Sequence, residues 1–405
     1  MSMIRRLRLL LRRPAVLAVL VVAAASAGCD ENARQQGGTD GGRPLPAGVT
    51  VWGFTPFPYD MTREALDRTH RIVAEHGTLY ALHFDNGVPW AEAHAGKAFP
   101  EPVREEWRRL VDRKPKGHYV YLALAPLADD RFSLAPACEG SSVPEAIDGA
   151  AMDSDAVRNA WLNYARRAVE TFRPDVLNLG IEAGELAAKS PTRWREFVGL
   201  YRHTRDALKK TCPKMKIGIS FSLHQMMLKD GVADRAGAIM DRCDYLGLSF
   251  YPHASSFHEA MGSKPLPAAP DQWRKPLAWA RKFTDKPLVL CETGYSTVDV
   301  SVPRYGIRMT GSAELQRRYV EDLAEIAARD GWLAVVWFMP VDCDALHARL
   351  PEGDGVIRIW QNIGLWDPKL RPKPALKAWD EAVRAAREAE APKATTQPAE
   401  DAKTE

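Results

Sequence analysis

The stretch DVLNLGIE, Asp175–Glu182, sets a short apolar run directly ahead of a single carboxylate, and LVLCE, Leu288–Glu292, repeats the arrangement more than a hundred residues later. Runs this short, rich in Val, Leu and Ile, read as buried strands rather than helices. Six more runs of the same kind complete the series: Val49–Phe54, Thr78–Phe84, Tyr119–Ala125, Lys216–Phe221, Tyr245–Phe250 and Leu333–Phe338. Longer amphipathic segments separate them. Ser190-Pro191 opens one whose apolar residues Trp194, Phe197, Leu200, Tyr201 and Leu208 recur at helical spacing, and Pro213 closes it. Ser312 caps another that ends at Gly331. Strand and helix in strict alternation make a parallel sheet. No glycine-rich phosphate loop follows the first strand, so the expectation is a closed (β/α)8 barrel of the TIM type over residues 48–388, in one domain.

In such a barrel the chemistry sits at the carboxyl ends of the strands. The fourth strand ends in Glu182, with Glu185 a rival farther along, and the seventh ends in Glu292. A lone glutamate after a strand is ordinarily a solvated loop residue or an ion-pair partner. Two that face each other are what glycoside hydrolysis requires, one protonating the leaving oxygen while the other attacks the anomeric carbon or activates water. Cys291 and Glu292 alternate in direction, so an inward glutamate implies a thiol packed outward. The remaining strand ends supply His83, Asp85 and Trp90 near the second, Tyr251 and His253 after the sixth, Trp52 in the first and Trp337 in the eighth. These are the candidate sugar-binding residues, Trp337 as a flat face for a pyranose ring. Such an aromatic, polar mouth with few cations suits a neutral carbohydrate better than a phosphate ester.

The ends of the chain differ from the body. Five arginines before position 14, an apolar run from Ala15 to Ala25, and small residues up to Cys29 have the build of a secretory signal over 1–28 and resemble a bacterial lipobox, with Ser26 where a branched apolar residue is usual. Cys29 is then the expected lipidated residue, residues 29–47 a flexible tether, and 389–405 a disordered tail. Export to the cell envelope and a membrane attached through lipid follow. The leader's arginines outnumber the net charge of +3 over the 405 residues, so nothing marks nucleic acid as a partner, and no cofactor or metal is called for. Cys138, Cys212, Cys243, Cys291 and Cys343 remain, of which Cys212 and Cys243, each ahead of a strand, are the one candidate disulfide.

With those residues in view the chain resembles clan A of the glycoside hydrolases, the retaining (β/α)8 enzymes. DYLGLSFYPHAS (Asp244–Ser255) and KPLVLCETGYS (Lys286–Ser296) look most like the arabinogalactan endo-β-1,4-galactanase family, and NIGLWDPKLRPKPALKAW (Asn362–Trp379) resembles its closing segment. The similarity runs in outline from Val49 to Ala385 and is dense in those stretches. It implies Glu182 as acid/base, Glu292 as nucleophile, Tyr251 orienting that nucleophile and Trp337 lining the cleavage subsite. Two positions depart: Ile181 stands where the clan has Asn, and an arginine usual after the second strand is missing, with His83 in that region.

Two other readings compete. A metal-dependent hydrolase on the same barrel would use His83, Asp85, His224, His253 and Asp342 or Asp344, though the first strand lacks a His-x-His pair. A barrel that binds polysaccharide at the cell surface without cleaving it is favoured by Ile181.

Overall fold

A computed structural model describes residues 42–254, 268–303, 307–349, 355 and 358–390. The leader, Cys29, most of the tether and nearly all of the tail lie outside the described residues. Eight parallel strands form the barrel: β1 (Val51–Phe54), β2 (Leu79–Phe84), β3 (Tyr119–Leu124), β4 (Val176–Asn178), β5, β6 (Leu246–Phe250), β7 (Leu288–Thr293) and β8 (Ala334–Trp337). β5 consists of two segments, Lys216–Gly218 paired with β4 and Ser220–Ser222 paired with β6. Because one chain segment serves both edges of the sheet order β5-β4-β3-β2-β1-β8-β7-β6, the sheet closes. The (β/α)8 architecture read from the alternation is the observed one.

The helices start and stop where their end residues dictate. Ser190 and Ser312 each accept a hydrogen bond from the third residue beyond, Arg193 N and Leu315 N, which satisfies one of the orphan amides of the first turn. Gly331, at φ 63°, ends the helix Ala313–Asp330 in the left-handed conformation that a side chain disfavours. Outward side chains such as Trp52, Phe54, Leu82, Leu122, Leu177, Leu248 and Val335 pack against these helices. The inward set, Val51, Leu79, Ala81, Tyr121, Val176, Tyr245, Val289 and Val336, fills the barrel itself. Gly218 is required where it is: a Cβ there would lie 2.8 Å from the Tyr245 ring, which crosses the barrel to donate to Leu177 O at 2.9 Å.

Two structural locks hold the ends. At the amino end of the barrel, Arg43 N donates to Asp175 Oδ1 at 2.6 Å, its guanidinium lies 3.5 Å over the Tyr119 ring, and Leu45 packs beneath the inward set. The last residues of the expected tether therefore belong to the barrel floor. At the other end, Lys373 Nζ donates to Asp342 Oδ1 at 2.7 Å and Thr297 Oγ1 at 2.8 Å, while Gly364 N donates to the same Asp342 oxygen at 2.9 Å. The Gln316 side chain adds bonds to the carbonyls of Tyr295, Ile363 and Gly364. Together they fasten the closing segment across the loops after β7 and β8.

The disulfide expected between Cys212 and Cys243 is not formed. All five described cysteines are buried and outside any disulfide, Cys212 ending the helix Pro191–Thr211 and Cys243 taking a hydrogen bond from the Tyr201 hydroxyl at 3.3 Å. Each thiol is occupied by its own packing rather than by the other.

Lys373 and Asp342 are 9% and 4% exposed, so truncating one leaves the other charged and buried. K373M should cost about 3–5 kcal/mol in urea unfolding, and D342N/K373M should recover part of that loss. Equal losses in both variants would mean that the pair is not what holds the segment.

Candidate active site

Glu182 is set by the way the chain leaves β4. Leu179 N and Ala183 N continue the ladder onto Gly218 O and Ser220 O, each at 2.9 Å, and Glu182 N donates to Ser220 Oγ at 3.1 Å. Between them Ile181 turns into the barrel interior, and Glu182 takes φ 50°, a left-handed backbone that costs a non-glycine residue roughly 1–2 kcal/mol. Below it, Asn178 donates to the Tyr121 hydroxyl at 2.9 Å and Ser220 Oγ at 3.0 Å, a fully paired polar layer under the mouth. Glu185 lies on the helix Gly184–Lys189 and pairs with Lys189 Nζ at 3.0 Å, so it is the loop-side residue and not the one over the barrel axis.

Glu292 reaches the mouth through an irregularity. Along β6, Leu248 pairs with Leu290 but the next residue, Ser249, pairs with Glu292; along β8, Val335 pairs with Leu290 and Trp337 with Thr293. β7 thus carries one residue more than its neighbours, a β-bulge, which breaks the alternation. Cys291 follows Val289 inward, beside Tyr121 and Tyr245, against the outward direction expected of it, and the extra residue turns Glu292 to the same side, toward the mouth. There the Tyr251 hydroxyl donates to Glu292 Oε1 at 2.5 Å. Tyr251 stands where the resemblance placed it.

The two carboxylates feel each other. Burial, then the charge of Glu182, push Glu292 up to about 8, against the Tyr251 bond and Arg131, which favour its anion. Burial also raises Glu182, opposed by Arg131. The Ser249 hydroxyl lies against Glu182 while its backbone pairs with Glu292, so the residue spans the gap. Such a pair titrates as a unit rather than as two independent groups.

Arg131 was not anticipated. It comes from the loop after β3, is 11% exposed, and its Nη2 lies 3.3 Å from Glu182 Oε2. No local pattern marks it, since its partner is 51 residues away. Asp85, inward at the end of β2, acts electrostatically on both Arg131 and Glu292, and His83 sits inside the barrel between Tyr121 and Phe338, at 5.6 and 6.1 Å between ring centres. These two expected residues join the site.

Four others do not. Trp52 and Trp337 face outward and meet on Trp379, at 5.2 and 6.0 Å, with Trp337 Nε1 donating to Ile363 O at 2.9 Å. β8 is apolar on both faces, Ala334 and Val336 inward and Val335 and Trp337 outward, so its pattern carries no direction. Trp90 is core as well, donating to Ala135 O at 2.7 Å and packed on Trp161. His253 is buried against Tyr295 with Nε2 3.2 Å from Ile359 O, and burial lowers it to about 4, keeping it neutral. Near the pair the exposed ring is instead Trp360, half-buried, 6.0 Å from the Tyr251 ring and 6.5 Å from Phe338.

The ligands of the metal reading are scattered. His224 stacks outward on Phe250 at 5.1 Å, Asp342 is taken by Lys373, and Asp344 by Gln361 and Asn362. Among the described residues no group of three or more His, Cys, Asp or Glu is placed to hold a metal ion.

No protein-family profile matches the sequence, and no curated protein is significantly similar to it. Solved structures are. An exo-β-1,4-mannosidase from Opitutaceae bacterium strain TAV5 superposes with a TM-score of 0.59 at 16% identity, covering 86% of this chain, which spans only 61% of the mannosidase. A GH5_18 protein from Streptomyces cattleya gives 0.56 at 15% identity over 85% of this chain and 82% of its own. Xylanase 10B from Thermotoga petrophila RKU-1 gives 0.53 at 12% identity over 85% and 96%. At these identities the likeness establishes the shared barrel fold.

The raised Glu292 has a thermodynamic consequence. A carboxyl whose folded pKa exceeds its unfolded value stabilises the fold fully below the unfolded pKa, and that contribution is lost as pH rises through the folded one, here from 4.5 to about 8. The melting temperature of E292Q, which cannot ionise, should therefore gain on the wild type between about pH 5 and about pH 9. A constant difference across that range would show that Glu292 is not titrating there.

Proposed function

We propose that this chain is a retaining β-glycosidase acting on a neutral β-linked oligosaccharide or polysaccharide, with Glu292 as nucleophile and Glu182 as acid/base. The observation that carries the reading is the pair itself: carboxylates from the ends of β4 and β7, each opposing the other's ionisation, with Tyr251 donating to one of them. In the first step Glu182 gives its proton to the glycosidic oxygen as that bond to the anomeric carbon breaks, and Glu292 bonds the same carbon. The ester so formed removes the charge of Glu292, and Glu182, now ionised, takes a proton from the incoming water. Retention follows from two displacements at one carbon.

Trp360 and Phe338 beside Tyr251 suit the apolar face of a pyranose, and the cation nearest the pair, Arg131, is already engaged by Glu182, which favours a neutral sugar. The mannosidase and xylanase that share the fold support glycoside chemistry. The galactanase-like stretches, Asp244–Ser255 and Lys286–Ser296, nominate β-1,4-galactan as the first polymer to test. Export and attachment at Cys29 would place the enzyme in the envelope, where polymers arrive before transport.

Reducing-end release from β-1,4-linked galactan, mannan, glucan and xylan should identify the substrate, and NMR of the first product should show the retained anomer. E292Q should lose turnover on every substrate. E182Q should lose about 10²–10⁴-fold on sugar leaving groups and spare a 2,4-dinitrophenyl glycoside, whose leaving group needs no proton. An inverted product, full activity in both variants, or loss of wild-type activity to a chelator would overturn the assignment.

A further inference from the structure

Resting on that reading, we infer that Arg131 is the positioning residue of the acid/base: it steadies the Glu182 carboxylate and stabilises the charge left there when the proton departs. Where an asparagine precedes the acid in resembling barrels, this chain has Ile181 buried in the interior, and inward at the end of β2 it has His83 instead of an arginine. The polar contact to Glu182 comes from a different loop.

That loop is built to deliver it. Asp130 accepts from Phe132 N at 2.8 Å, Ser133 N at 2.9 Å and Ser133 Oγ at 2.8 Å, which folds the turn on itself. Lys189 Nζ donates to Asp130 O at 2.6 Å and Arg193 Nε to Phe132 O at 3.0 Å, staking the turn on both sides of Arg131 to the helices that begin just past Glu182. Arg131 and Glu182 both stand at φ 50°, so two left-handed residues meet in one ion pair. Such backbone persists where the surroundings over-determine it, and it clusters at sites of function. The groups facing Glu182 are Arg131 from the β3 loop, Glu185 on its own segment, Ser249 on β6, Ser220 on β5 through the backbone, and Glu292 on β7. Asp85 faces Arg131 and Glu292, and Tyr251 faces both glutamates. Arg131 is the cation among them.

In the first step the proton moves from Glu182 to the leaving oxygen and the anion that remains is met by the guanidinium already in place. In the second the same contact holds the base while it accepts the proton of water. The arginine neither gains nor loses a proton.

The test separates this from the function proposed above. With Glu292 replaced by Gln, carbon-13 NMR of labelled carboxyls follows Glu182 alone and needs no substrate. R131M in that background should raise the Glu182 pKa by about one unit, a tenfold change in proton affinity, and R131K should restore most of it. R131Q serves if Met at this position prevents folding. In otherwise wild-type enzyme, R131M should move the high-pH limb of kcat/KM upward by a similar amount and reduce hydrolysis of a β-1,4-linked disaccharide more than that of the dinitrophenyl glycoside of the same sugar. An unmoved Glu182 titration, or equal losses on both substrates, would overturn the inference. If no glycoside is cleaved by the wild type the glycosidase reading falls, and the titration still decides the role of Arg131.

Discussion

Two acidic side chains, Glu182 and Glu292, sit close enough in a half-buried mouth for the charge on Glu292 to be opposed by the one on Glu182. In water that repulsion would be slight, but with the solvent partly removed it decides which protonation states exist. The surroundings answer it piecewise: a tyrosine hydroxyl on one carboxylate, a guanidinium on the other, a serine lying between. The polar layer of Asn178, Tyr121 and Ser220 beneath is neutral and takes the Glu182 backbone N–H on Ser220, so it adds rigidity without adding charge. A site whose two carboxylates are both harder to ionise than a free one suits chemistry that moves a proton out and later back.

The barrel was legible because its signal is repeated. Eight apolar runs at regular intervals, with Ser190, Ser312 and Gly331 marking helix ends, overdetermine a parallel closed sheet, and an error of a residue or two at any one strand changes nothing. The pair at Glu182 and Glu292 was legible for the same reason, since position after a strand is a coarse property. Direction is not coarse. In strands buried on both faces, as β8 is, hydrophobicity gives no information on which side chains turn inward, and Trp52 and Trp337 turn outward, away from the mouth. The β7 bulge is still less visible, because one extra residue turns Glu292 to the same side as Cys291 while leaving the composition of the strand unremarked.

What the sequence concealed most fully are contacts made by loops. Arg131 and Trp360 both reach the mouth from segments with no periodicity, and each replaces something expected elsewhere: an arginine after β2, a tryptophan on β8. The chemistry required at a position is therefore more readily anticipated than the element that supplies it. A cation beside one carboxylate and a flat ring beside the other can be supplied from any of several segments, and a barrel offers eight loops from which to do so.

The floor of the barrel has a directional consequence. Arg43 enters beside Asp175, at the amino end of β4, and is held there by a backbone hydrogen bond and by its stacking on Tyr119. The Glu182 and Glu292 pair stands at the opposite pole, at the carboxyl ends of β4 and β7. A surface that held the protein by this end would lie on the far side of the barrel from the mouth and leave the cleft facing away from it. Were Cys29 the point of attachment, the dozen residues between it and Gly42 would span at most about 43 Å when fully extended, a short leash. A polymer would be met from the open side, and the holding surface would not have to move aside for it.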